Sequence, residues 1–128
     1  MSGINQRVSG SSPEAGARLA DMPAYFFMYY IYILFSSSSN LYYVGYSLDV
    51  NRRLIEHNTS DKNTFSSKHR PWHLMAFFSC GYNEVVVIKL ERFIKKQKSR
   101  KLIEQLIDPR FIPDGALAQL VRVPDVRD

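Results

Sequence analysis

The stretch from Tyr30 to Asn58, YIYILFSSSSNLYYVGYSLDVNRRLIEHN, constrains the fold of this chain more than any other part of it. It begins with two short runs rich in Tyr, Ile and Val, which are residues that favour strands. The polar segment Ser36 to Asn40 separates the runs and predicts a turn, because Ser and Asn compete well for local backbone hydrogen bonds. Asp49 is a typical helix N-cap. The order therefore predicts an antiparallel hairpin followed by a helix.

Side-chain alternation places aromatic residues on one face of this hairpin. Tyr30, Tyr32 and Leu34 share a face of the first strand. Tyr43 and Gly45 share a face of the second strand, and in-register pairing would bring Tyr43 alongside Tyr32.

In the helix that follows, Arg53 and His57 are four residues apart and lie on one stripe. Val50 and Leu54 form the neighbouring stripe and are expected to be buried. The two polar side chains therefore lie next to the packed side of the helix.

The rest of the chain predicts one more strand and two helices. Trp72 to Cys80 has the composition of a strand, and Glu84 to about Gln97 has helical periodicity. Ser99 caps a further helix, Arg100 to Ile107, which ends before a proline. The predicted core stripe of the longer helix is Val86, Leu90, Phe93 and Ile94. The predicted fold class is α/β (α+β), with a small three-stranded, mainly antiparallel sheet flanked by helices.

Composition divides the chain into three parts. Residues 1–21 are rich in Ser, Gly, Ala and Arg without sustained periodicity, which predicts a disordered leader or a wrongly extended start. Residues 22–108 form the predicted domain. Residues 109–128 hold three prolines and little amphipathic pattern, so we expect an irregular tail outside the domain.

The apolar run from Ala24 to Phe35 is too short for a spanning helix, which needs about 20 such residues. We therefore expect a buried strand and a cytoplasmic protein without a membrane anchor. Cys80 is the only cysteine, which excludes an internal disulfide and a cysteine zinc cluster.

Positive charge is concentrated in the middle of the chain. Residues 46–104 hold twelve lysines and arginines against six aspartates and glutamates, whereas the whole chain has a net charge of +5. A basic centre with near-neutral ends predicts a polyanionic partner, most simply nucleic acid. The alternative is a soluble protein with a lysine-rich helix.

Two triplets carry a resemblance to a known family. Tyr30-Ile31-Tyr32 and Tyr43-Val44-Gly45 stand ten residues apart, and Arg53 lies ten after Tyr43. This pattern resembles the GIY-YIG nuclease family over roughly residues 28–107. The chain is most similar to the short stand-alone bacterial branch, and to the nuclease domains of excision-repair enzymes and structure-specific resolvases.

The resemblance implies five catalytic residues: Tyr32, Tyr43, Arg53, His57 and Glu91. The tyrosines would position the attacking water, and His57 would accept a proton because its ordinary pKa lies near 6.5. Arg53 would offer a planar, charged fork to phosphate oxygens. Glu91 would hold one Mg²⁺ or Mn²⁺. Other interpretations remain for three of them: a core role for Tyr32, a surface role for His57, and an ion pair with Lys95 for Glu91.

The expected contacts to nucleic acid are Gly45, Lys68, Arg70, Lys95, Lys98 and Lys101. The lysines and the arginine would bind backbone phosphates without reading sequence. Gly45 would let the backbone approach the scissile phosphate. His69 and His73 have a metal-ligand appearance, but Pro71 interrupts any helix between them, so a zinc site there is disfavoured.

Two positions depart from the family pattern. Excision-repair members place a lysine where this chain has Tyr46, and some homing and restriction members use an asparagine where it has Ile103. The predicted function is a metal-dependent endonuclease acting on DNA, with structure-dependent or weakly sequence-specific cleavage and a possible place in DNA repair. The alternatives are a nucleic-acid-binding module of the same fold and a protein–protein adaptor.

Overall fold

The computed structural model describes residues 21, 23 and 27–124. The predicted leader, residues 1–21, therefore lies outside the described residues except for Asp21. The strands are β1 (Tyr30–Ser36), β2 (Leu41–Ser47), β3 (Trp72–Ser79) and β4 (Val121–Arg122). The α-helices are α1 (Val50–Thr59), α2 (Glu84–Lys96) and α3 (Arg100–Ile107), and short 3-10 helices cover Ser66–His69 and Gly115–Leu117.

The strands form one antiparallel sheet in the order β2-β1-β3-β4. The predicted α+β class is confirmed, but the sheet has four strands rather than three. The additional strand, β4, pairs Val121 with Ser79 and Arg122 with Phe78. Its two residues are too few to give a strand pattern in the sequence.

The helix caps agree with the prediction. Asp49 accepts a hydrogen bond from the backbone N–H of Arg52 at the start of α1. Ser99 does the same for Leu102 at the start of α3. Each cap satisfies one of the backbone donors that a helix start leaves unpaired.

The hairpin register differs from the expected alignment of the two tyrosines. Ser36 pairs with Leu41 across a four-residue loop, in which Asn40 takes the left-handed conformation at φ 56. This pairing places Tyr32 opposite Gly45, while Tyr43 lies opposite Leu34. The two tyrosines are thus diagonal neighbours, which still allows large rings to meet.

A β-bulge changes the face to which β3 side chains point. Ile33 pairs with Ala76 but Leu34 pairs with Leu74, so Met75 is the extra residue. Ala76 therefore packs on the α2 side of the sheet, whereas Leu74 packs on the α1 side. The bulge therefore decides which β3 side chains face each core: Trp72 and Leu74 lie on the α1 side, and Ala76 and Phe78 lie on the α2 side.

Two hydrophobic cores lie on opposite faces of the sheet. The larger core joins Ile31 and Ile33 of β1 to α2 and α3, and the smaller joins Tyr32 and Leu34 to Val50 of α1. The buried residues of α2 are Val87, Leu90 and Ile94. The predicted stripe was wrong in part, because Phe93 is 38% exposed and Val86 only partly buried.

The chain after α3 packs onto the domain, contrary to the prediction for residues 109–128. Leu117 and Leu120 are buried in the larger core, at 6% and 4% exposure. Arg122 donates hydrogen bonds to the carbonyl oxygens of Leu106, Ile107 and Asp108, which end α3 without helical partners. The domain therefore extends to residue 124, the last one described.

None of the helices in the described part of the chain is both long enough and apolar enough to cross a membrane.

Candidate active site

A buried hydrogen bond joins Tyr32 to His57. The phenol oxygen of Tyr32 lies 3.0 Å from Nε2 of His57, and both residues are buried, at 1% and 5% exposure. Tyr32 comes from β1, next to the centre of the sheet, and His57 comes from the second half of α1. Because α1 packs on the face of the sheet that carries Tyr32, the phenol of Tyr32 and the imidazole of His57 come together.

Gly45 makes room for the phenol of Tyr32. A Cβ built at position 45 would lie 2.6 Å from the Tyr32 oxygen and 3.0 Å from a ring carbon of Tyr43. The first contact is closer than real Cβ atoms tolerate and the second is tighter than most, so the packing of the Tyr32 ring favours a glycine here. Gly45 therefore serves the packing of the site residues. The predicted approach of a substrate backbone to Gly45 stays a prediction.

Tyr43 completes an aromatic group around His57. Its ring stacks on Tyr32 with centroids 6.3 Å apart, and it meets the His57 ring edge-on at 4.7 Å. Trp72 contacts the other side of Tyr43 at 5.9 Å. Tyr43 is partly exposed whereas Tyr32 is buried. The site therefore has one phenol in the interior and one near the surface.

Burial keeps both members of the Tyr32–His57 pair neutral. It raises the pKa of Tyr32 to about 12, although the nearby Arg53 charge opposes the rise. It lowers the pKa of His57 to about 4, and the positive charge of Arg53 acts in the same direction. At pH 7 His57 is therefore an uncharged hydrogen-bond partner for an uncharged phenol.

Arg53 interacts with Tyr32 and is held by Glu56. Glu56 accepts a hydrogen bond from one Nη of Arg53 and one from Arg52. Burial acts to raise the pKa of Glu56, but the two guanidinium groups lower it overall. Arg53 is the more enclosed arginine, with 35% of its side chain exposed against 57% for Arg52.

Glu91 reaches the site from α2 together with Lys95. The Glu91 carboxylate is only 14% exposed and lies 3.4 Å from Nζ of Lys95. That ammonium group stands 5.6 Å from the centroid of the Tyr43 ring. After burial and Tyr43, the charge of Glu91 is a further influence that raises the pKa of Tyr32. The carboxylate therefore belongs to the same electrostatic environment as the phenols.

The described residues hold no group of three or more His, Cys, Asp or Glu side chains that could enclose a metal. One carboxylate suits Mg²⁺, which keeps most of its water and binds through one or two protein carboxylates plus substrate phosphate. Glu91 is the carboxylate that the resemblance predicts for this role. His69 and His73 instead contact serines of the β1–β2 loop, Ser39 and Ser37.

The predicted phosphate contacts fall into two groups. Lys68, Lys95, Lys98 and Lys101 are exposed. Arg70, however, donates from Nε to the carbonyl oxygen of His57 at 2.7 Å and from Nη2 to that of Ser60 at 2.5 Å. These bonds satisfy the last turn of α1, so the role of Arg70 is to hold the helix that carries His57.

The sequence reasoning missed two supports of the site. Glu56 is three residues after Arg53, a spacing that predicts an ion pair on a helix. Asn58 exchanges hydrogen bonds with the backbone of Trp72, accepting from its N–H and donating to its carbonyl. The sequence around either residue does not predict this contact, because Asn58 lies in α1 and Trp72 lies in β3.

The two departures from the family pattern have structural roles. Tyr46 donates a hydrogen bond to Glu84 at 3.0 Å and packs against Tyr29. Ile103 is buried, at 9% exposure, in the larger core. Neither position therefore offers the amine or amide that other members place there.

Comparison with known proteins agrees with this geometry. The family model of the GIY-YIG catalytic domain matches residues 28–104, which span β1 to α3 and include all five candidate catalytic residues. No curated protein matches the chain significantly. Membership implies nuclease activity in general. Since the family model covers more than half of its length, the chain belongs to the GIY-YIG family of nuclease domains.

Proposed function

We propose that this protein is a metal-dependent endonuclease that hydrolyses DNA phosphodiester bonds, with structure-dependent or weakly sequence-specific cleavage. The observation that carries the proposal is the buried Tyr32–His57 hydrogen bond next to Arg53. A module that only binds nucleic acid needs a basic surface. It has no need for a buried phenol and imidazole held at 3.0 Å.

His57 acts by holding the hydroxyl of Tyr32 in place. Burial raises the pKa of Tyr32 to about 12 and lowers the pKa of His57 to about 4, so transfer of the Tyr32 proton to His57 is strongly unfavourable. The resting pair is therefore a poor proton relay, and His57 serves as a positioning residue. This differs from the predicted role of proton acceptor, because burial lowers the pKa of His57 far below its ordinary value.

Tyr32 and Tyr43 orient the attacking water through their hydroxyl groups. A phenol both donates and accepts hydrogen bonds, so it can fix a water molecule without being ionised. Holding a nucleophile in the attacking geometry is a large part of catalysis in phosphate chemistry.

Arg53 stabilises the negative charge that develops on the phosphate oxygens. One of its Nη atoms is bound to Glu56, which leaves other donors of the guanidinium for the substrate. A preorganised donor of this kind acts most strongly where charge appears in the transition state.

Glu91 is the residue that would hold Mg²⁺ or Mn²⁺. The bound ion would supply Lewis-acid stabilisation of the phosphate and would lower the pKa of a coordinated water. Lys95, now paired with Glu91, is positioned beside Tyr43 and would contact the same strand of DNA.

The proposal is tested by incubating the protein with branched, flapped, nicked and intact DNA duplexes, and with RNA of the same sequences, in Mg²⁺, in Mn²⁺ and in EDTA. We expect metal-dependent cleavage of at least one structured DNA, and weaker cleavage of the intact duplex. Binding that weakens with salt, without cleavage of any DNA under any condition, would favour the binding module of the same fold. Cleavage of RNA alone would overturn the assignment of DNA as substrate.

A further inference from the structure

A basic pocket lies beside β2, around the edge of the sheet from Tyr32 and His57. Its volume is about 200 Å³. Val44, Ile94 and Ile103 form an apolar floor that continues into the larger core. The volume is below that of a drug-sized ligand site, so the pocket suits a small group.

The rim of this pocket carries three cations, Lys95, Lys98 and Arg100. None of the acidic residues that the structure describes lines it. Two of the rim residues have acidic partners, since Glu91 pairs with Lys95 and Glu104 pairs with Arg100.

Arg100 is fixed in place, while Lys98 is available. Arg100 donates to the backbone carbonyl and the side-chain oxygen of Asn40, and its guanidinium lies 4.8 Å from the centroid of the Tyr42 ring. A fixed guanidinium gives the rim a permanent charge at a defined position.

Lys98 occupies a backbone position that favours glycine. It has φ 48 and follows the end of α2, where glycine or asparagine is preferred. A lysine in the left-handed conformation is disfavoured by about 1 kcal/mol. Despite this cost, the exposed and charged side chain of Lys98 lines the pocket.

Lys95 connects the pocket to the candidate active site. Its ammonium group lies 5.6 Å from the Tyr43 ring centroid, and the same side chain lines the pocket. Tyr42 and Tyr43 are adjacent residues of β2 that face opposite sides of the sheet. A nucleic-acid strand bound at Tyr43 would therefore pass around β2, the edge strand of the sheet. It would meet Lys95 first and Lys98 next.

We propose that this pocket binds a non-scissile phosphate of the nucleic acid, adjacent to the bond that is cut. The inference rests on the proposed nuclease function, because it assigns a second phosphate site to the same substrate. The ligand chemistry is a phosphate ester held by ammonium and guanidinium groups. It is either an internal phosphodiester or a terminal phosphate at a nick or strand end.

The test titrates the protein with thymidine 5′-monophosphate and with the dinucleotide TpT, and follows the backbone amide signals by NMR. The dinucleotide with a neutral methylphosphonate linkage is the control ligand. The variant is Lys98→Asn, since asparagine tolerates the left-handed conformation and carries no charge. Lys96→Gln is the matched control, because Lys96 is an exposed lysine of α2 that does not line the pocket.

We expect the charged ligands to shift the amide signals of Lys98 and Arg100, and the neutral ligand to leave them unchanged. Lys98→Asn should weaken binding at least about fivefold, whereas Lys96→Gln should not. Tighter binding of the monophosphate identifies a terminal phosphate, and tighter binding of TpT identifies an internal one.

Absence of shifts at these residues, or equal weakening by both variants, would overturn the proposal. Cleavage of structured DNA by the same samples is measured separately. Failure to cut would refute the nuclease function, whereas the titration alone decides the pocket.

Discussion

The phenol of Tyr32 fills the space that a side chain at position 45 would need. The two residues are directly opposite one another on β1 and β2. A Cβ on Gly45 would come within 2.6 Å of the Tyr32 oxygen, which also bonds His57. The glycine and the tyrosine of the two triplets are therefore one packing unit.

Gly45→Ala should lower both stability and activity. The new methyl group must displace a fully buried ring, and overpacking of this kind costs about 1–3 kcal/mol. We expect a lower denaturation midpoint in urea with an unchanged m-value. Cleavage should fall by more than the loss of folded protein explains, because the Tyr32 hydroxyl moves away from His57.

The matched control is the same substitution in a Tyr32→Leu background. Leucine lacks the far end of the ring that meets the Cβ. The cost of Gly45→Ala should therefore be smaller there, and an equal cost in both backgrounds would show that Tyr32 is not the cause.

Arg53→Ala should slow cleavage strongly while Arg52→Ala should not. Both arginines pair with Glu56 on the same helix, so each variant loses one similar ion pair. Only Arg53 acts electrostatically on Tyr32. Loss of one preorganised contact to a charged transition state costs about 3 kcal/mol, or about a hundredfold or more in rate. Equal rates for the two variants in single-turnover assays would remove Arg53 from the site.

Glu91→Gln should remove metal-dependent cleavage without unfolding the protein. Its ion pair with Lys95 is near the surface, and such pairs contribute at most about 1 kcal/mol. The melting temperature should hardly change, and DNA binding without metal should persist or tighten slightly. The control is Asp61→Asn, which removes one exposed carboxylate from the loop after α1. Cleavage by Glu91→Gln at the wild-type rate would contradict the assignment.

His57 should make stability depend on pH in the acid range. Its pKa is lowered to about 4 in the folded protein, from 6.5 in the unfolded chain. Below pH 6.5 the unfolded state binds the extra proton, so stability falls as the pH drops from about 6.5 to about 4. The loss is up to about 3 kcal/mol.

The comparison is with His57→Gln, followed by urea unfolding at several pH values. The variant should be less stable at neutral pH but lack this part of the pH dependence. Parallel curves for the two proteins between pH 4 and 6.5 would mean that His57 is protonated normally.

Removal of residues 109–128 should destabilise the domain. The deletion exposes the cavities left by Leu117 and Leu120 and frees three carbonyl groups at the end of α3. Each buried leucine is worth about 2–5 kcal/mol. Deletion of residues 1–21 is expected to leave a folded protein, as the composition of that segment predicts.

A point variant isolates the contribution of the tail to α3. Arg122→Ala removes the donors to the last carbonyls of the helix, whereas Arg110→Ala removes an arginine that pairs only with exposed Asp108. We expect the first variant to melt at a lower temperature and the second to melt like the wild type. A melting temperature for Arg122→Ala that equals that of the wild type would contradict this role.

The sequence predicts the parts of this fold that depend on neighbours in the chain. Asp49 and Ser99 cap their helices as expected, and the alternation of β1 places Tyr32 and Leu34 on one face. Capping and alternation operate over a few residues, so a single sequence reveals them.

The parts that it does not predict depend on contacts between distant elements. Leu117 and Leu120 are buried in a segment that contains a 3-10 helix and a two-residue strand. Neither element has a periodic pattern of apolar residues. The burial of His57, which lowers its pKa, results from packing of its ring against Tyr32 of β1 and Tyr43 of β2. Arg70 looks like any other basic residue until its two carbonyl partners are known.

The extra residue of β3 decides which side chains of that strand face the catalytic side of the sheet. Trp72 and Leu74 lie on the α1 side only because Met75 interrupts the alternation. Regular alternation through the same residues, with no bulge, would turn both side chains toward α2 and remove the contact of Trp72 with Tyr43. Deletion of Met75 would leave Ile33 opposite Ala76 and Leu34 opposite Leu74, so Trp72 and Leu74 would stay on the α1 side without a bulge.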